Sequence, residues 1–560
     1  MKLYNYLFYL LPFLISFSFG TGILNDISYS KQFAFGLAFL IMGILILFNK
    51  ESCLPIEIKI NYIDVAIIVL FTIYMIYFAK AKTNLDFFLP ILYFLFYIFI
   101  RLLPNNITRN SIRIIADIVP FILIGHFALS TLQFINITPS FHPYFAGGST
   151  FGNPDMFGSY IAILLPFCYT RKNHKIIGYI LSFICFAFLF LLKSRTAIIA
   201  SGITIILYLF LSNRLPKNKI KWVLLLSLLG VLLLTYWHPE SLSGRFFIWI
   251  VCFSMMFAKP LGWGLYGFNK NYLEYQADFI AENPHLSSFF NIDTERSSFN
   301  EFLNVGVTLG IPALLIYLTV IVGILILAYK SRSMLILPIC SFVVISLAYF
   351  PFSISPVVVV FIMVTALLLN SSSPPIFKLK INRRILLLLP LLAITSVITY
   401  NMYKYYRYWQ VGFKNMRYDN NYELSQIMLD RAYPYYKGNG RFLITYAYLK
   451  YQMKDTQASL LIAKDANEII CDAVILKNIA AMYESIGDII TAKDYIDKAV
   501  RISNNKYSMV YQQILYLNKL GRHEEGYNKA LVLYQDLRSN PNAENFIIRV
   551  NLQMLIKSYE

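Results

Sequence analysis

Long apolar segments recur in this chain from its beginning to about residue 402. Segments of about 17 to 25 apolar residues are long enough to cross the hydrocarbon core of a bilayer as helices. Hydrophobic residues make up 58% of the 560 residues and charged residues only 14%, and a globule in water has no interior for that much apolar surface. The sequence therefore predicts an all-α, polytopic membrane protein. We place thirteen spans, at residues 4–24, 33–49, 62–79, 84–101, 111–133, 154–170, 175–192, 195–212, 221–236, 302–329, 334–352, 356–370 and 384–402.

The lysines and arginines between these spans are unevenly distributed. With the N-terminus placed in the cytoplasm, the short inner segments hold 19 of them and the short outer segments hold five. The five outer residues are Lys31, Lys80, Lys82, Lys193 and Arg195. Because an excess of basic residues marks cytoplasmic loops, we predict a cytoplasmic N-terminus. Residues 134–153, the loop 237–300 and everything after residue 402 then lie outside the cytoplasm.

Composition also excludes other classes of protein. The formal net charge is +19, but no basic run with interleaved aromatic residues points to nucleic acid. The six cysteines have no paired spacing, which indicates neither a disulfide framework nor a zinc site. No Asp-x-Asp motif occurs, so we expect no metal ion, since a metal-dependent transfer would use paired acidic ligands.

The character of the sequence changes after residue 402, where charge rises and helical periodicity replaces the apolar runs. Small residues and glycines recur at an interval of 34 residues, at Ala458 and Ala492 and at Gly487 and Gly521. Together with Tyr483 and Ala499, this spacing resembles two or three degenerate tetratricopeptide repeats; the alternative is a plain helical bundle. We predict two domains, a transmembrane domain at 1–402 that includes the loop 237–300, and a helical repeat domain at 403–560 that binds a partner.

Two arginines lie on the predicted outer side. Arg195 sits between two spans with hardly any loop, and it is either a functional cation at membrane depth or a snorkelling side chain. Arg245 follows Ser243, a candidate N-cap for an apolar helix at 246–257 that is too short to span and would lie in the interface. A helix N-terminus beside an arginine favours a phosphate-type anion. The alternative is an amphipathic anchor helix.

A glycine-rich segment follows Arg245. Its glycines are Gly262, Gly264 and Gly267, and its aromatic residues are Trp263, Tyr266 and Phe268. We expect a tight turn in which the backbone approaches a ligand and the rings contact a sugar or a prenyl chain. An aromatic belt at the membrane interface is equally compatible with this pattern.

Taken in order, these motifs carry a family resemblance. They are Thr150-Phe151-Gly152-Asn153-Pro154, Ser194-Arg195, Ser243-Gly244-Arg245 with Trp249, Pro260 with the three glycines, Gln276-Ala277, and Asn300-Glu301-Phe302-Leu303 with Gly310-Ile311. The set is similar to the O-antigen ligase and polymerase family of bacterial inner-membrane glycosyltransferases. The resemblance covers about residues 140–330.

The resemblance implies a function in lipopolysaccharide biosynthesis. A glycan would pass from an undecaprenyl-pyrophosphate carrier to lipid A core, a growing glycan or a protein hydroxyl at the periplasmic face of the inner membrane, with inversion and with no metal or other cofactor. Arg195 and Arg245 match the family's arginines, and fixed cations stabilise a leaving diphosphate. We assign substrate binding to Asn153, Gly262, Gly264, Tyr266, Gln276 and Asn300.

One position departs from the family's pattern. Many members have a histidine before the asparagine of the Asn300 motif, and this chain has Phe299. The candidates for a general base are then Glu301, Glu295, Asp293 and His285. We favour Glu301, because a carboxylate beside apolar side chains has a raised pKa, although it is also placed to pair with an arginine. His285 is the second choice.

Three other functions stay open. A flippase or transporter of lipid-linked glycans would show internal repeats and ionisable groups inside its spans. The acids near spans are Asp64, Asp86 and Asp117. The second alternative is an O-antigen chain polymerase, and the third is a scaffold in which the helical tail is the functional part.

Overall fold

The computed structural model describes residues 2–20, 26–49, 56–108, 110–142, 145–171, 175–213, 239–285, 297–372, 375–381, 385–503, 507–539 and 543–559. The chain divides into two compact units. The first consists of Met1–Lys80, Leu85–Leu242 and Ser298–Gln410, and the second of Ala81–Asn84, Ser243–Ser297 and Val411–Glu560. The prediction grouped the loop 237–300 with the transmembrane domain, whereas in the structure Ser243–Ser297 belongs to the same compact unit as the tail.

The first unit is built from helices. They are α1 (Lys2–Leu14), α2 (Ile27–Leu47), α3 (Tyr62–Lys80), α4 (Leu89–Arg101), α5 (Asn105–Thr108), α6 (Ser111–Phe134), α7 (Pro154–Tyr169), α8 (Lys175–Leu191) and α9 (Arg195–Leu211). After the segment that belongs to the second unit, α12 (Glu301–Leu309), α13 (Ile311–Lys330), α14 (Ile336–Ala348) and α15 (Ser355–Ser372) follow, and α16 (Ile385–Arg417) extends past Gln410.

Five of the described helices are long and apolar enough to cross a membrane. They are α2, α3, α6, α13 and α16. Shorter apolar helices lie at or near most of the other predicted spans. The prediction of an all-α polytopic protein is confirmed, while the number of thirteen spans stays a prediction. The predicted span 221–236 lies outside the described residues, as do the basic residues from Arg214 to Lys221 that helped to set the orientation.

Several helix ends differ from those predicted. α1 ends at Leu14, ahead of residue 24. α2 begins at Ile27 because the Asp26 carboxylate accepts hydrogen bonds from the Ser28 and Tyr29 amides, at 2.7 and 3.1 Å, which makes Asp26 an N-cap. The single helix expected at 302–329 was wrong. Gly310, with φ of +88°, ends α12, and α13 restarts at once with a proline in its first turn.

Two helices form the centre of the first unit. In α7 every residue from Phe157 to Tyr169 is buried, and α15 is buried along most of its length. α7 packs against α6, α8, α9, α14 and α15. A helix that is apolar on all sides is stable only when neighbours or lipid cover every face, and here protein covers them. The residues around the amino end of α7 are therefore held by the most buried part of the unit.

Close packing between α2 and α16 depends on glycine. A Cβ on Gly36 would lie 2.3 Å from Thr399 Oγ1, and one on Gly43 would lie 2.1 Å from a methyl carbon of Leu392. Small residues allow this close approach of membrane helices. Farther along the same pair, the rings of Tyr29 and Tyr406 stack with centroids 3.9 Å apart.

A two-stranded antiparallel sheet joins distant parts of the first unit. The strands are β1 (Ile56–Ile60) and β2 (Phe377–Ile381), and the sequence did not predict them. Beside the sheet, the buried Arg101 guanidinium donates to both oxygens of Asp64, at 3.0 and 2.9 Å, and also to the Asn370 side chain. This network fastens α3, α4 and α15 at one end of the helix bundle.

In the second unit, helices α10 (Pro239–Ala258) and α11 (Gly267–Glu282) accompany the tail helices. These are α17 (Tyr422–Tyr436), α18 (Gly440–Gln452), α19 (Thr456–Asn467), α20 (Ala473–Ser485), α21 (Ile489–Ile502), α22 (Tyr507–Lys519), α23 (His523–Ser539) and α24 (Ala543–Tyr559). Within the tail, α18 pairs with α19, α20 with α21 and α22 with α23.

The helix pairs repeat at the predicted interval. Their first helices begin at 440, 473 and 507, and their second helices at 456, 489 and 523, so successive pairs are offset by 33 or 34 residues. The turn inside each pair has a left-handed residue, which is Lys454, Gly487 or Gly521. Ala492 and Ala499 are fully buried where helices meet. The tail is a stack of helical hairpins, and its assignment to the tetratricopeptide family stays a prediction.

Candidate functional site

Arg195 is the first residue of α9. Only three residues separate it from the end of α8, and Lys193 between them adopts a left-handed backbone with φ of +55°. The Arg195 side chain is half-buried. Its position in the first turn places a cation beside backbone N–H groups that have no partner within the helix. Such a combination binds phosphate-type anions.

The residue before it, Ser194, contributes a second polar group. Its hydroxyl is buried and has no hydrogen-bond partner among the residues that the structure describes. Gly158 of α7 faces this hydroxyl, and a Cβ there would lie 2.6 Å from Ser194 Oγ. Because glycine lets α7 approach so closely, the amino end of α9 is fixed against the most buried helix of the unit.

Arg245 lies in the second unit, on α10. The expectation that Ser243 caps the helix was wrong, because α10 begins at Pro239 and already includes residue 243. Proline is favoured in the first turn of a helix, where its missing N–H costs nothing. The half-buried Arg245 therefore lies on the side of a helix and not at its free amino end. Two residues later, Phe247 is buried against Phe279 of α11, with ring centroids 6.2 Å apart.

The glycine-rich segment between α10 and α11 forms the tight turn that was predicted. Gly262 and Gly264 have φ of +91° and +86°, values that side chains rarely tolerate. The Trp263 indole donates to the Met255 carbonyl at 2.9 Å, and the Tyr266 hydroxyl donates to the Lys82 carbonyl at 2.7 Å. Both polar groups therefore bond to protein.

Three of the predicted binding residues have structural roles or are buried. Asn153 caps α7 by accepting from the Asp155 amide at 2.8 Å. Asn300 caps α12 by accepting from the Leu303 amide at 3.1 Å, and it donates to the Leu347 carbonyl at 2.9 Å. Gln276 of α11 is buried, with 3% of its surface exposed. Asn153 thus fixes the start of α7, and Asn300 fixes the start of α12, whose first residue is Glu301.

Glu301 opens α12 and is buried, with 3% of its surface exposed. It lies outside the five helices that can span the membrane. Its carboxylate accepts from the Asn304 side chain at 3.2 Å and from the Phe352 amide at 3.4 Å. Burial raises the pKa of Glu301 to about 7, and these two hydrogen bonds oppose the rise. A carboxylate with a pKa near neutrality suits a general base.

The alternative role for Glu301 was pairing with an arginine. Within the described ranges no lysine or arginine lies at ion-pair distance from it. His285 is exposed just after the end of α11. The candidates Asp293 and Glu295 lie outside the described residues. No group of three or more His, Cys, Asp or Glu side chains suited to a metal ion occurs in the part of the chain that the structure describes.

Residues 180–318 match a family model described as O-antigen ligase. This part of the chain is similar to the O-antigen ligase family. The matched segment includes Arg195, Arg245, the glycine turn and Glu301, so residues of both compact units belong to it. No curated protein matches the chain. The match supports a membrane enzyme that transfers glycosyl groups.

Within the matched segment, Phe299 occupies the position at which this sequence departs from the pattern of the family that it resembles. Its backbone is left-handed, with φ of +46°, a conformation in which histidine and asparagine are more common than phenylalanine. Its ring packs against Phe350, with centroids 5.6 Å apart. The apolar contact keeps the loop before α12 in place, and Glu301 is the ionisable group nearest in sequence within the described residues.

Sequence reasoning missed a buried polar cluster that precedes the matched residues 180–318. Lys31 was counted as an outer loop charge, but it lies in α2 with 4% of its surface exposed. Its ammonium donates to the Ser16 and Ser18 carbonyls at 2.7 and 2.6 Å, and it approaches Thr150 Oγ1 at 3.4 Å. The cluster thus ties the end of α1 to the Thr150 motif. The polar residues Ser16 and Ser18 inside an apolar run were the available signal.

His126 supports the same motif from α6. One ring nitrogen is 2.8 Å from Ser16 Oγ and the other is 2.9 Å from Ser149 Oγ. The imidazole stacks on Phe17, with centroids 4.1 Å apart. Lys31 and His126 therefore hold the turn that leads into α7, whose Gly158 contacts Ser194 beside Arg195.

Replacing Lys31 with methionine is expected to destabilise the protein. The Ser18 carbonyl would lose this buried donor, and an unsatisfied buried polar group costs about 1–3 kcal/mol. Thermal unfolding of purified protein in detergent measures the effect. Lys80→Met, at the exposed end of α3, is the control and should unfold like the wild type. Equal stability of Lys31→Met and wild type would show that relief of the buried charge offsets the lost hydrogen bonds.

Proposed function

We propose that this protein transfers a glycan from an undecaprenyl-pyrophosphate carrier to an acceptor at the periplasmic face of the inner membrane. The observation that carries the proposal is the O-antigen ligase match at residues 180–318, because it contains Arg195, Arg245 and Glu301. Arg195 and Arg245 bind the diphosphate, and Glu301 accepts the proton of the acceptor hydroxyl. Inversion at the anomeric carbon follows when that hydroxyl attacks opposite the leaving diphosphate.

The arginines suit the leaving group. Breaking the bond between sugar and diphosphate increases negative charge on the diphosphate, and fixed cations lower the barrier most when they act where charge develops. The guanidinium fork matches phosphate oxygens. Arg195 adds this fork to a helix N-terminus, which attracts an anion by itself. The proposed mechanism therefore uses protein cations to stabilise the leaving group.

The packing of the second unit supports the proposed sidedness. The basic-residue count assigned Lys82, the loop 237–300 and the tail to the outer side, and these three segments form one compact unit. The strands β1 and β2 carry Lys59, Lys378 and Lys380, which the same count assigned to the inner side, and they pair with each other. Segments assigned to opposite sides of the bilayer would not pair in this way.

The acids near the spans give little support to a transporter. A proton- or ion-coupled transporter uses ionisable groups that change partners. Asp64 is paired with Arg101 in a buried salt bridge. Asp117 accepts from Arg171 and from the Tyr6 hydroxyl, at 3.1 and 2.8 Å, and Asp86 accepts from Tyr29. The chain polymerase differs from the ligase only in its acceptor, so it is tested together with the proposal.

A deletion strain tests the function. Its glycans are separated into lipid-linked, lipopolysaccharide-linked and protein-linked pools, and the pool that disappears identifies the acceptor. We expect one product pool to vanish while lipid-linked glycan accumulates on the periplasmic side. Accumulation of lipid-linked glycan on the cytoplasmic side would indicate a flippase. Unchanged glycan pools would favour the scaffold, in which the helical tail is the functional part. Shorter glycan chains at an unchanged degree of attachment would identify the polymerase.

A further inference from the structure

The tail contacts α11 directly. The Cys471 amide donates to the Asn269 carbonyl at 2.9 Å, just before α20. The Lys270 ammonium lies 2.6 Å from a carboxylate oxygen of Glu468. At the other end of α11, Asp278 lies 3.5 Å from the Arg501 guanidinium. α11 is therefore bound to the repeat stack along its length, on the side formed by α19 to α21.

A third segment, Ala81–Asn84, reinforces this contact. Lys82 pairs with Asp465 of α19 at 3.0 Å, and the Gly438 amide donates to the Thr83 carbonyl at 2.9 Å. A Cβ on Gly438 would lie 2.3 Å from the Tyr266 hydroxyl oxygen. The loop, the glycine turn and the tail thus meet at a position that has room only for glycine.

Contacts inside the α10–α11 pair extend the support to Arg245. Trp263 bonds to the Met255 carbonyl, and the hydroxyls of Ser254 and Tyr275 are 3.3 Å apart. Phe247, two residues after Arg245, packs on Phe279. Any force that holds α11 therefore also holds the helix that carries Arg245.

We propose that the C-terminal repeats hold Arg245 in position, so that the tail is a working part of the transferase as well as a surface for a partner. The inference rests on the proposed function of Arg245. The helices α10 and α11 lie within the O-antigen ligase match, whereas the tail helices that support them lie outside it. Lys82, Lys270, Asp465 and Glu468 act through Arg245 and are positioning residues.

Reciprocal charge reversal tests this inference in the full-length protein. Asp465→Lys with Glu468→Lys turns both ion pairs into repulsions, and Lys82→Glu with Lys270→Glu does the same from the other side. An exposed ion pair contributes little to stability by itself, so each variant reverses one side of both pairs at once. We expect each double variant to lower transfer by about five- to tenfold. The fourfold variant restores both pairs with opposite polarity and should recover at least half of the wild-type rate. Asp419→Lys with Asp494→Lys, two exposed tail positions, is the matched control and should transfer normally.

Hydrogen exchange separates this inference from the proposed function, because it needs no activity. Amides of residues 267–282 should exchange about tenfold faster in each double variant and at the wild-type rate in the fourfold variant. Loss of protection together with normal transfer would overturn the positioning role and leave the proposed function intact. Unchanged protection in both double variants would also overturn it. Normal transfer by a variant that lacks the Arg245 side chain would remove the basis of both proposals.

Discussion

Arg245→Ala should reduce glycan transfer by about a hundred- to a thousandfold, which is the loss that follows removal of one group stabilising a developing anion. The lipid-linked donor should still reach the periplasmic side and accumulate there. The expectation is large because the diphosphate must leave with its charge, and a guanidinium provides two parallel donors to its oxygens. Transfer is measured with purified protein in proteoliposomes that contain lipid-linked donor and acceptor.

Companion variants make the Arg245 result specific. Arg245→Lys keeps the charge but loses the planar fork, so its rate should fall between wild type and Arg245→Ala. Arg522→Ala removes an exposed arginine of the tail and should leave transfer unchanged. Normal transfer by Arg245→Ala would exclude Arg245 from the mechanism.

The pair Arg195 and Arg245 gives a further test of a shared ligand. If both arginines bind one diphosphate, the double alanine variant should be little worse than the poorer single variant, because groups that act as a unit are not additive. Losses that multiply would indicate two separate sites. The two residues lie in different compact units, so this kinetic result is the direct measure of their cooperation.

Glu301→Gln is expected to lower kcat by about a hundredfold or more, since general base catalysis contributes roughly 10²–10⁴-fold. Wild-type activity should rise as pH increases through about 7, because burial raises the pKa of Glu301 to about 7 and only the deprotonated form accepts a proton. The remaining activity of Glu301→Gln should lack this rise. A pH–rate profile of both proteins measures it.

Stability gives an independent check on Glu301. Its folded pKa of about 7 lies above the ordinary value of 4.5, so the unfolded state loses the proton first as pH rises. The contribution of Glu301 to stability is therefore fully present below pH 4.5, falls between 4.5 and about 7, and stays low above that. Glu301→Gln should lose this dependence of stability on pH, and Glu282→Gln, at the exposed end of α11, should keep it.

In the kinetic test of Glu301, an unchanged pH–rate profile in Glu301→Gln would show that another group is the base.

The sequence was sufficient for much of the helical architecture, and the reasons are local. Apolar runs identify helices that lipid or protein must surround. The early start of α2 at Ile27 depends on one Asp26 side chain, and the break at Gly310 depends on one left-handed residue. Such single-residue events do not alter the hydropathy pattern, so the predicted ends were off by several residues.

Long-range contacts were the part that sequence could not supply. The pairing of β1 with β2 joins segments more than 300 residues apart. Both strands alternate apolar and polar residues, but alternation over five residues does not show which distant segment is the partner. The bond from Lys31 to Thr150 and the ion pair of Lys270 with Glu468 also link distant segments. Family resemblance brought Arg195, Arg245 and Glu301 forward as candidates. A raised pKa of Glu301 was expected from its neighbouring phenylalanines, and the burial of its side chain agrees with that reasoning.

The burial of Glu301 has a consequence for the state in which donor is bound and no acceptor is present. If Glu301 is the base, as proposed, water that cannot reach it is not activated, and a bound lipid-linked glycan would be protected from hydrolysis while no acceptor is present. The short helical turn Pro351–Ser353 supplies the Phe352 amide that covers the carboxylate. In the proposed mechanism an acceptor hydroxyl that reaches Glu301 would displace this amide, so acceptor binding itself would make the base accessible.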